Sequence, residues 1–480
     1  MIKITYTSRL RVYTKAILLL PLLILTVSCE GLLEVDTPPA SVLKSQVFSD
    51  DLTAEAAIRG IYSDMMVSQG NNGFQIAWRA GLSADELTHF NTYSNIISFE
   101  ENNLLADNSY VSQLWVYAYR DIYRANDVLE GIAASLEMSN DAKKHFKGEA
   151  LFLRSFYYFY LVNFFGDVPM VTTTDYKTNS NIMRTPVKTI YNQIEADLQE
   201  AIELLPPTYP TPGRFRANKA VASSLLARVY LYQGKWADAE STATTILENT
   251  TDYKLTFLSG ITLPDNKEAI WQICNIDNNP FTLEGGYFYG GTGSIGSIFG
   301  YNALRDDFVG KSTIPGAFEQ GDTRKTEWLH LNRRKVWMSY KYRSYRSMAT
   351  TNPDDSRQEN STVFRLAEQY LIRAEARAQQ NKLALAIADV DAIRARAGLT
   401  LIANTNPGIS KPDLLDAIMQ ERRVELFTEW GHRWFDLKRT GNAVSVLGGI
   451  KPGFSSNDLL YPIPVSELNK NPFLEQNPGY

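Results

Sequence analysis

The chain has 480 residues, 44% of them apolar and 21% charged, with a net charge of −5. That composition excludes a disordered or low-complexity polymer and allows one large domain or two to three ordinary ones. A mildly acidic balance also argues against nucleic acid and anionic membranes as partners. Aromatic residues make up 12% of the chain, with 26 Tyr and 8 Trp, which is more ring surface than a core of this size usually needs.

The first 28 residues have the pattern of an export signal. Lys3, Arg9, Arg11 and Lys15 form a basic start without an acid, and Ala16 to Leu25 form a short apolar run. The run is too short for a retained membrane-spanning helix. The following Thr26-Val27-Ser28-Cys29 resembles a bacterial lipobox, with Thr26 where a leucine is usual. Residues 1–28 are therefore expected to be a lipoprotein signal peptide, and Cys29 the acylated mature N-terminus carrying palmitate-type chains. A plain secretory signal or a short anchor helix is the competing reading. Cleavage removes four of the 48 basic groups and none of the 53 acids, leaving a net charge of −9. With Cys29 lipidated, Cys274 has no disulfide partner, and its apolar surroundings, Ala269 to Ile273, predict a buried, inert thiol.

Residues 30–45, with Pro38 and Pro39, read as an extended tether. From about residue 111 the pattern is helical. Gly148 to Phe165 is almost solidly apolar and aromatic, interrupted by Arg154 and Asn163 and stopped by Gly166, which predicts a central buried helix. Thr185 and Pro186 predict the cap and first turn of the next helix. Ile190, Ile194, Leu198, Ala201 and Leu205 recur along it until Pro206-Pro207. Leu226-Ala227-Arg228-Val229-Tyr230 leading to Gly234-Lys235-Trp236 is echoed by Ile372-Arg373-Ala374-Glu375-Ala376 leading to Asn381-Lys382-Leu383. Each reads as helix, tight turn, helix, the pattern of tetratricopeptide pairs. The two copies are far apart, which predicts a helical scaffold with insertions. The main insertion spans about 250–360. It holds seven glycines between Gly285 and Gly300 and no Lys or Arg from Glu268 to Leu304, so short strands and loops are expected there. The expected division is an N-terminal helical region, 29–250, and a C-terminal region, 251–480, carrying the insertion.

These segments are similar in order to the SusD/RagB family of outer-membrane lipoproteins. The resemblance rests on Ser83-Ala84-Asp85-Glu86, on Trp115, Tyr119, Ile122 and Ala125-Asn126, and on Gly148-Glu149-Ala150 through Phe165-Gly166-Asp167-Val168-Pro169. It continues in Arg365 to Ala376, Glu421-Arg422-Arg423-Val424-Glu425-Leu426, Arg433-Trp434-Phe435-Asp436-Leu437, Tyr461-Pro462-Ile463-Pro464 and Gln476-Asn477-Pro478-Gly479-Tyr480. It implies a mostly α SusD-like scaffold with tetratricopeptide-like pairs and loop-rich insertions. It also implies a lipid anchor on the outer face of the outer membrane and a SusC-type TonB-dependent transporter as partner. The implied ligand is an oligosaccharide, although some relatives handle peptides. Binding residues follow no fixed motif in the family, so none is carried over.

Catalytic constellations find little support. Gly291-Thr292-Gly293-Ser294-Ile295-Gly296 has dinucleotide-type glycine spacing but no strand-to-helix context, so a flexible loop is expected. Glu421, Glu425 and Glu429 fall on one predicted helical stripe and could suggest a glycosidase pair. Arg422, Arg433 and Asp436 nearby predict instead a structural ion-pair network of Glu421, Arg422, Glu425, Arg433 and Asp436, because arginines hold carboxylates ionised and a catalytic acid needs a raised pKa. His89, His145, His330 and His432 have no metal-ligand spacing, and no G-x-S-x-G turn occurs. No metal, no cofactor and no catalytic residue is expected.

Sugars present C–H faces and hydroxyl edges, so their sites need flat rings beside amides. Two segments outside the helical pattern supply this mixture: Tyr93, Asn95, Phe99 and Asn102, and then Tyr287, Tyr289, Tyr301, Trp328 and Trp337. Trp78 and Trp115 are expected in the core. The sequence thus predicts a non-enzymatic lipoprotein that captures oligosaccharides and delivers them to the transporter. Capture of peptides or another nutrient, a helical glycoside hydrolase and a purely structural lid are the alternatives.

Overall fold

The computed structural model describes residues 44–66, 73–90, 93–274, 282–289, 302–306, 313–344 and 358–480. The export signal, Cys29, the tether up to residue 43, Tyr301 and the glycine run 291–296 lie outside them. Lys44–Val47 is a single helical turn, and the residues from Phe48 onward form a separate unit.

Helices begin earlier than the sequence pattern indicates. α1 (Asp51–Asp64) is capped by the Asp50 carboxylate, which accepts from the amides of Leu52 and Thr53. α2 (Gly73–Ser83) is buried on nearly every side, Trp78 included. The strand β1 (Leu87–His89) and α3 (Ser94–Glu100) follow. α4 (Ser109–Ala134) is capped by Asn108 and buries Trp115.

α5 (Asn140–Phe165) is the central helix. Ser139 caps it, Gly166 at φ 74° ends it, and its second half is buried on nearly every side. Arg154 fits inside because Asp197 accepts two bonds from it, each of 2.8 Å, and Asn126 Oδ1 accepts a third. The end carbonyls of α5 are satisfied by cations from elsewhere, the Arg184 guanidinium on Phe165 O and the Lys438 ammonium on Asn163 O. These are the groups a helix terminus leaves open.

α6 (Val187–Leu204) starts one residue later than expected, with Pro186 at the cap position. Thr185 is committed to a small ladder, β2 (Val168–Pro169) with β3 (Arg184–Thr185), where it lies opposite Val168. The first amide of α6, from Val187, donates instead to Asp167 Oδ1 at 2.8 Å.

The two repeats fold alike. α7 (Lys219–Tyr232) turns into α8 (Trp236–Leu247) through Gly234 at φ 68°, and α9 (Leu366–Gln379) turns into α10 (Leu383–Arg396) through Asn381 at φ 61°. In each turn the next amide reaches back five residues, Lys235 N to Tyr230 O and Lys382 N to Arg377 O, both at 2.9 Å. Gly and Asn are the residues that adopt this left-handed closure most readily. α8 packs directly on α9, so the pairs are neighbours in space although the insertion separates them in sequence. Glu240 on α8 ties this junction, pairing with Arg377 at 3.1 Å and Lys382 at 2.6 Å. α11 (Lys411–Glu425) packs on α9 and α10, and α12 (His432–Arg439) packs on α2.

The insertion contains the predicted short strands: β4 (Ala269–Ile273), β5 (Asn302–Leu304), β6 (Leu329–Leu331), β7 (Trp337–Ser339) and β8 (Ser361–Arg365). β4 pairs antiparallel with β8, from Ala269 opposite Arg365 to Ile273 opposite Ser361, and so closes the insertion at its base. Cys274, just past β4, is half-buried, with burial raising its thiol pKa. Among the described residues no helix is long and apolar enough to cross a membrane.

Candidate functional site

Two chemically different places emerge around the insertion. The first is a half-exposed aromatic patch. β5 pairs antiparallel with β1, Leu87 opposite Leu304 and Thr88 opposite Ala303, so the insertion is laid beside the segment that leads to Tyr93. β7 packs beside β5, and the wide helical turn Gly285–Tyr289 lies against both. The hairpin β6–β7 is held at its turn by Asn332, whose carboxamide oxygen accepts from Arg334 N and Val336 N, while Lys335 takes a left-handed φ of 59°.

On this frame Tyr289, His330 and Tyr340 form a triangle of rings. Tyr289 lies 4.4 Å from Tyr340 and 5.2 Å from His330, and His330 lies 5.6 Å from Tyr340. All three are partly exposed. The Arg343 guanidinium covers Tyr340 at 4.6 Å and is itself paired with Glu327 at 2.9 Å. Burial lowers the His330 pKa, so the imidazole is neutral at neutral pH. The triangle therefore offers flat, uncharged ring surface with hydroxyl and imidazole groups attached.

The residues singled out from sequence fall into three groups. Tyr93 is 54% exposed, Asn95 is exposed, and Tyr287, Tyr289 and Trp337 are partly exposed. Half of Tyr287 is committed to packing, since its ring stacks on Phe74 at 4.1 Å. Trp328, Phe99 and Asn102 are corrections, because all three are buried. Trp328 is 0% exposed, its Nε1 donates to Leu258 O, and the Lys341 ammonium sits over its ring. Phe99 packs between Trp78 and Tyr461. Asn102 holds a left-handed turn and accepts from Lys451 Nζ at 2.7 Å. Tyr301 lies outside the described residues. Tyr340 and Arg343 were not anticipated. The signal for them was the Asn332 turn between two short apolar runs, which marks a hairpin whose second strand delivers Tyr340.

The second place is a buried charge cluster at the base of the insertion. Arg365, at the end of β8, reaches Glu268 at 3.0 Å, Glu425 at 2.5 Å and Glu429 at 2.7 Å. Arg396 of α10 pairs with Glu268 and with Glu425. Arg324 pairs with Asp322, Glu421 and Glu425, and Lys341 with Glu429. Glu429 does not continue the α11 stripe. The chain turns sharply there, with Thr428 and Trp430 at φ 54° and 46°, and Glu429 reaches the cluster from the turn. Burial alone would raise the Glu425 carboxyl, but Arg396, Arg365, Arg324 and Lys341 hold it well below the usual carboxylate range. Glu421 is the exception, raised by burial although Arg324 opposes it, and it is 2% exposed.

Arg433 belongs to a different pair. It reaches Asp85 at 2.7 Å, and Arg423 reaches the same carboxylate at 2.9 Å. Burial would raise Asp85, but the two arginines bring it down to about 2. Arg422 and Arg439 share Asp436, and Arg439 also pairs with Glu375. The two Asp85 pairs join segments more than 300 positions apart, and the Asp436 and Glu375 pairs tie α12 to α11 and α9, which is a structural task. Among the described residues no group of three or more His, Cys, Asp or Glu is placed to hold a metal.

Comparisons with known proteins extend this picture. A family model described as "Starch-binding associating with outer membrane" matches residues 39–231, and one described as "SusD family" matches residues 279–480. The SusD-like protein P25 of Formosa agariphila is 26% identical, covering 94% of this chain and 97% of its own length. The starch-binding protein SusD of Bacteroides thetaiotaomicron is 26% identical over 70% of this chain and 72% of its own. Among solved structures, a SusD superfamily protein from Bacteroides vulgatus superposes with a TM-score of 0.76 at 21% identity, covering 90% of this chain and 100% of that one. A laminarin-binding SusD-like protein superposes with a TM-score of 0.72 at 26% identity, again over 90% and 100%.

Proposed function

This chain belongs to the SusD/RagB family of outer-membrane-associated glycan-binding proteins, and on that premise we propose that it captures oligosaccharides at the cell surface and passes them to a SusC-type TonB-dependent transporter. Proteins of this family bind without catalysis, and this chain is not an enzyme. The observation that carries the proposal is the ring triangle Tyr289, His330 and Tyr340, uncharged and partly exposed where the Gly285–Tyr289 turn meets the β6–β7 hairpin. Tyr93, Asn95, Tyr287 and Trp337 are further exposed or partly exposed candidates for contact with the ligand, and Tyr301 is a candidate from sequence. Two relatives with stated ligands, the starch-binding and laminarin-binding proteins, support glucans as the first ligands to try. The acidic mature chain favours neutral over sulfated sugars.

Cys29 is the proposed lipid anchor, holding the protein on the outer face of the outer membrane. Several acyl chains are required, because one gives only marginal attachment. Whole cells carrying the chain should retain fluorescent maltohexaose or laminarihexaose, and Cys29→Ala should release the protein and the label together into the medium. Retention of the Cys29→Ala protein on the outer membrane would overturn the anchor. Capture of a short peptide in place of every oligosaccharide would replace the sugar reading with peptide uptake.

A further inference from the structure

A second aromatic groove lies where α4 and the segment after α5 meet the C-terminal stretch, and it uses none of the elements of the ring triangle. It encloses about 410 Å³, within the range of roughly 300–1,000 Å³ typical of small-ligand sites. One wall is a stripe of α4, where Trp115, Tyr119 and Tyr123 recur every four residues. The facing wall is the segment from Pro169 to Ser180, which carries Tyr176. The third is the short helix Val465–Lys470 with the residues just after it, Asn471 and Leu474.

The walls are fixed before any ligand arrives. Tyr119 Oη donates to Pro169 O at 2.7 Å, and Asn126 Nδ2 donates to Val171 O at 3.0 Å. Glu130 then accepts from Thr173 Oγ1 at 2.9 Å and from Thr174 N at 2.7 Å. One face of α4 thus pins the opposite wall along its length. The third wall is anchored by Val465 N on Ala106 O and by Asn471 Nδ2 on Ile182 O, both at 2.9 Å. Pre-ordered walls lower the entropic cost of binding.

Yet Tyr123 is 48% exposed and Tyr176 is 73% exposed. Neither packs on another ring among the described residues, so neither is used to hold the fold. A single exposed ring is ordinary. Two rings held toward solvent by facing, pinned walls form a clamp for a flat, partly apolar body. The charges in the groove cancel locally, since Lys470 pairs with Glu467 at 2.8 Å. That leaves hydroxyl and amide groups as the polar partners. Asn179, on the groove wall, donates through Nδ2 to Thr173 O at 2.7 Å, while its buried Oδ1 accepts from no donor among the described residues.

We propose that the groove between Tyr123 and Tyr176 is a second saccharide site that takes a neutral sugar unit independently of the insertion's rings. Stacking would come from the two tyrosines and hydrogen bonding from the Asn179–Ser180 edge. The proposal extends the saccharide reading, and it can fail separately from it.

Hydroxyl-radical footprinting of the full chain, read residue by residue by mass spectrometry, tests it. Phe257, 64% exposed and outside both places, corrects for scavenging by the sugar. The probes are maltohexaose, laminarihexaose, xylohexaose and mannohexaose. At least one should lower the labelling of Tyr123 and Tyr176 by about threefold or more, and should do so equally in the Tyr289→Ala/Trp337→Ala variant. Asn179→Ala should weaken that protection about tenfold. Unchanged labelling of both tyrosines with all four probes overturns the proposal. So does protection that disappears in the Tyr289→Ala/Trp337→Ala variant, or protection by tetra-alanine and by no sugar. Protection of Tyr123 and Tyr176 with none at Tyr289 supports the groove and removes the insertion's rings as the binding face.

Discussion

Arg365 lies at the base of the insertion and Tyr289 within it, and their surroundings differ in every physical respect. Arg365 is 2% exposed and faces three carboxylates, each of which has a second cation. Tyr289 is partly exposed and lies beside two other rings. A buried, compensated charge cluster has no capacity left for a ligand. It specifies how the insertion is fastened to α10 and α11. An uncharged, half-open ring surface contributes little to fastening and is free to bind. Charge density therefore marks the frame of this protein, and aromatic exposure marks its working surface.

The comparison breaks most visibly if charge removal spares the fold. Glu425→Ala leaves Arg365, Arg396 and Arg324 short of a partner. It should cost about 3–5 kcal/mol of stability, read by urea denaturation, while the folded fraction keeps its affinity for oligosaccharide. Full stability with lost binding would place Glu425 in a ligand site. Trp328→Ala should cost a similar amount, about 3–5 kcal/mol, because it empties a buried volume. Trp337→Ala, on the partly exposed face, should change stability by no more than about 0.5 kcal/mol. Equal melting of the two variants would contradict the burial difference on which the comparison rests.

Acid sharpens it further. Asp85 and Glu425 both sit below their unfolded values, so the unfolded chain binds more protons as pH falls. Their stabilisation is complete above about pH 4.5 and is lost progressively toward pH 2. Arg433→Ala should lose about 3 kcal/mol at neutral pH and should show a flatter decline on acidification, since its Asp85 partner is then less depressed. A decline as steep as in the wild type would mean that Asp85 does not depend on Arg433. On the binding side, Tyr93→Ala should cost about 0.5–1.5 kcal/mol of glycan affinity with unchanged melting.

The frame was more legible in the sequence than the working surface. The long buried helix showed because its apolar run ends at a glycine, and the repeats showed because Gly234 and Asn381 stand at the same turn. α2 showed only in part, since Trp78 was expected in the core while the bounds of the helix around it were not read. The family resemblance supplied the fold, whereas the residues themselves supplied the charge network. For the rings, residue type and loop context do not reveal burial. Trp328 and Trp337 stand nine positions apart in one segment, and only the three-dimensional placement of the hairpin separates the core ring from the open one. Tyr340 and His330 became neighbours of Tyr289 through β-pairing across unequal sequence gaps, which no local pattern encodes.

Calorimetric titration of the soluble mature chain, begun after Cys29, tests the central claim most directly. The panel is of neutral oligosaccharides, with chromatography of the mixtures for products. The account predicts binding in the micromolar to millimolar range, no product, and at least about tenfold weaker binding for Tyr289→Ala/Trp337→Ala at unchanged melting temperature. Binding of a peptide and of no oligosaccharide would contradict it, as would accumulation of shorter sugars or unaltered affinity in the double variant.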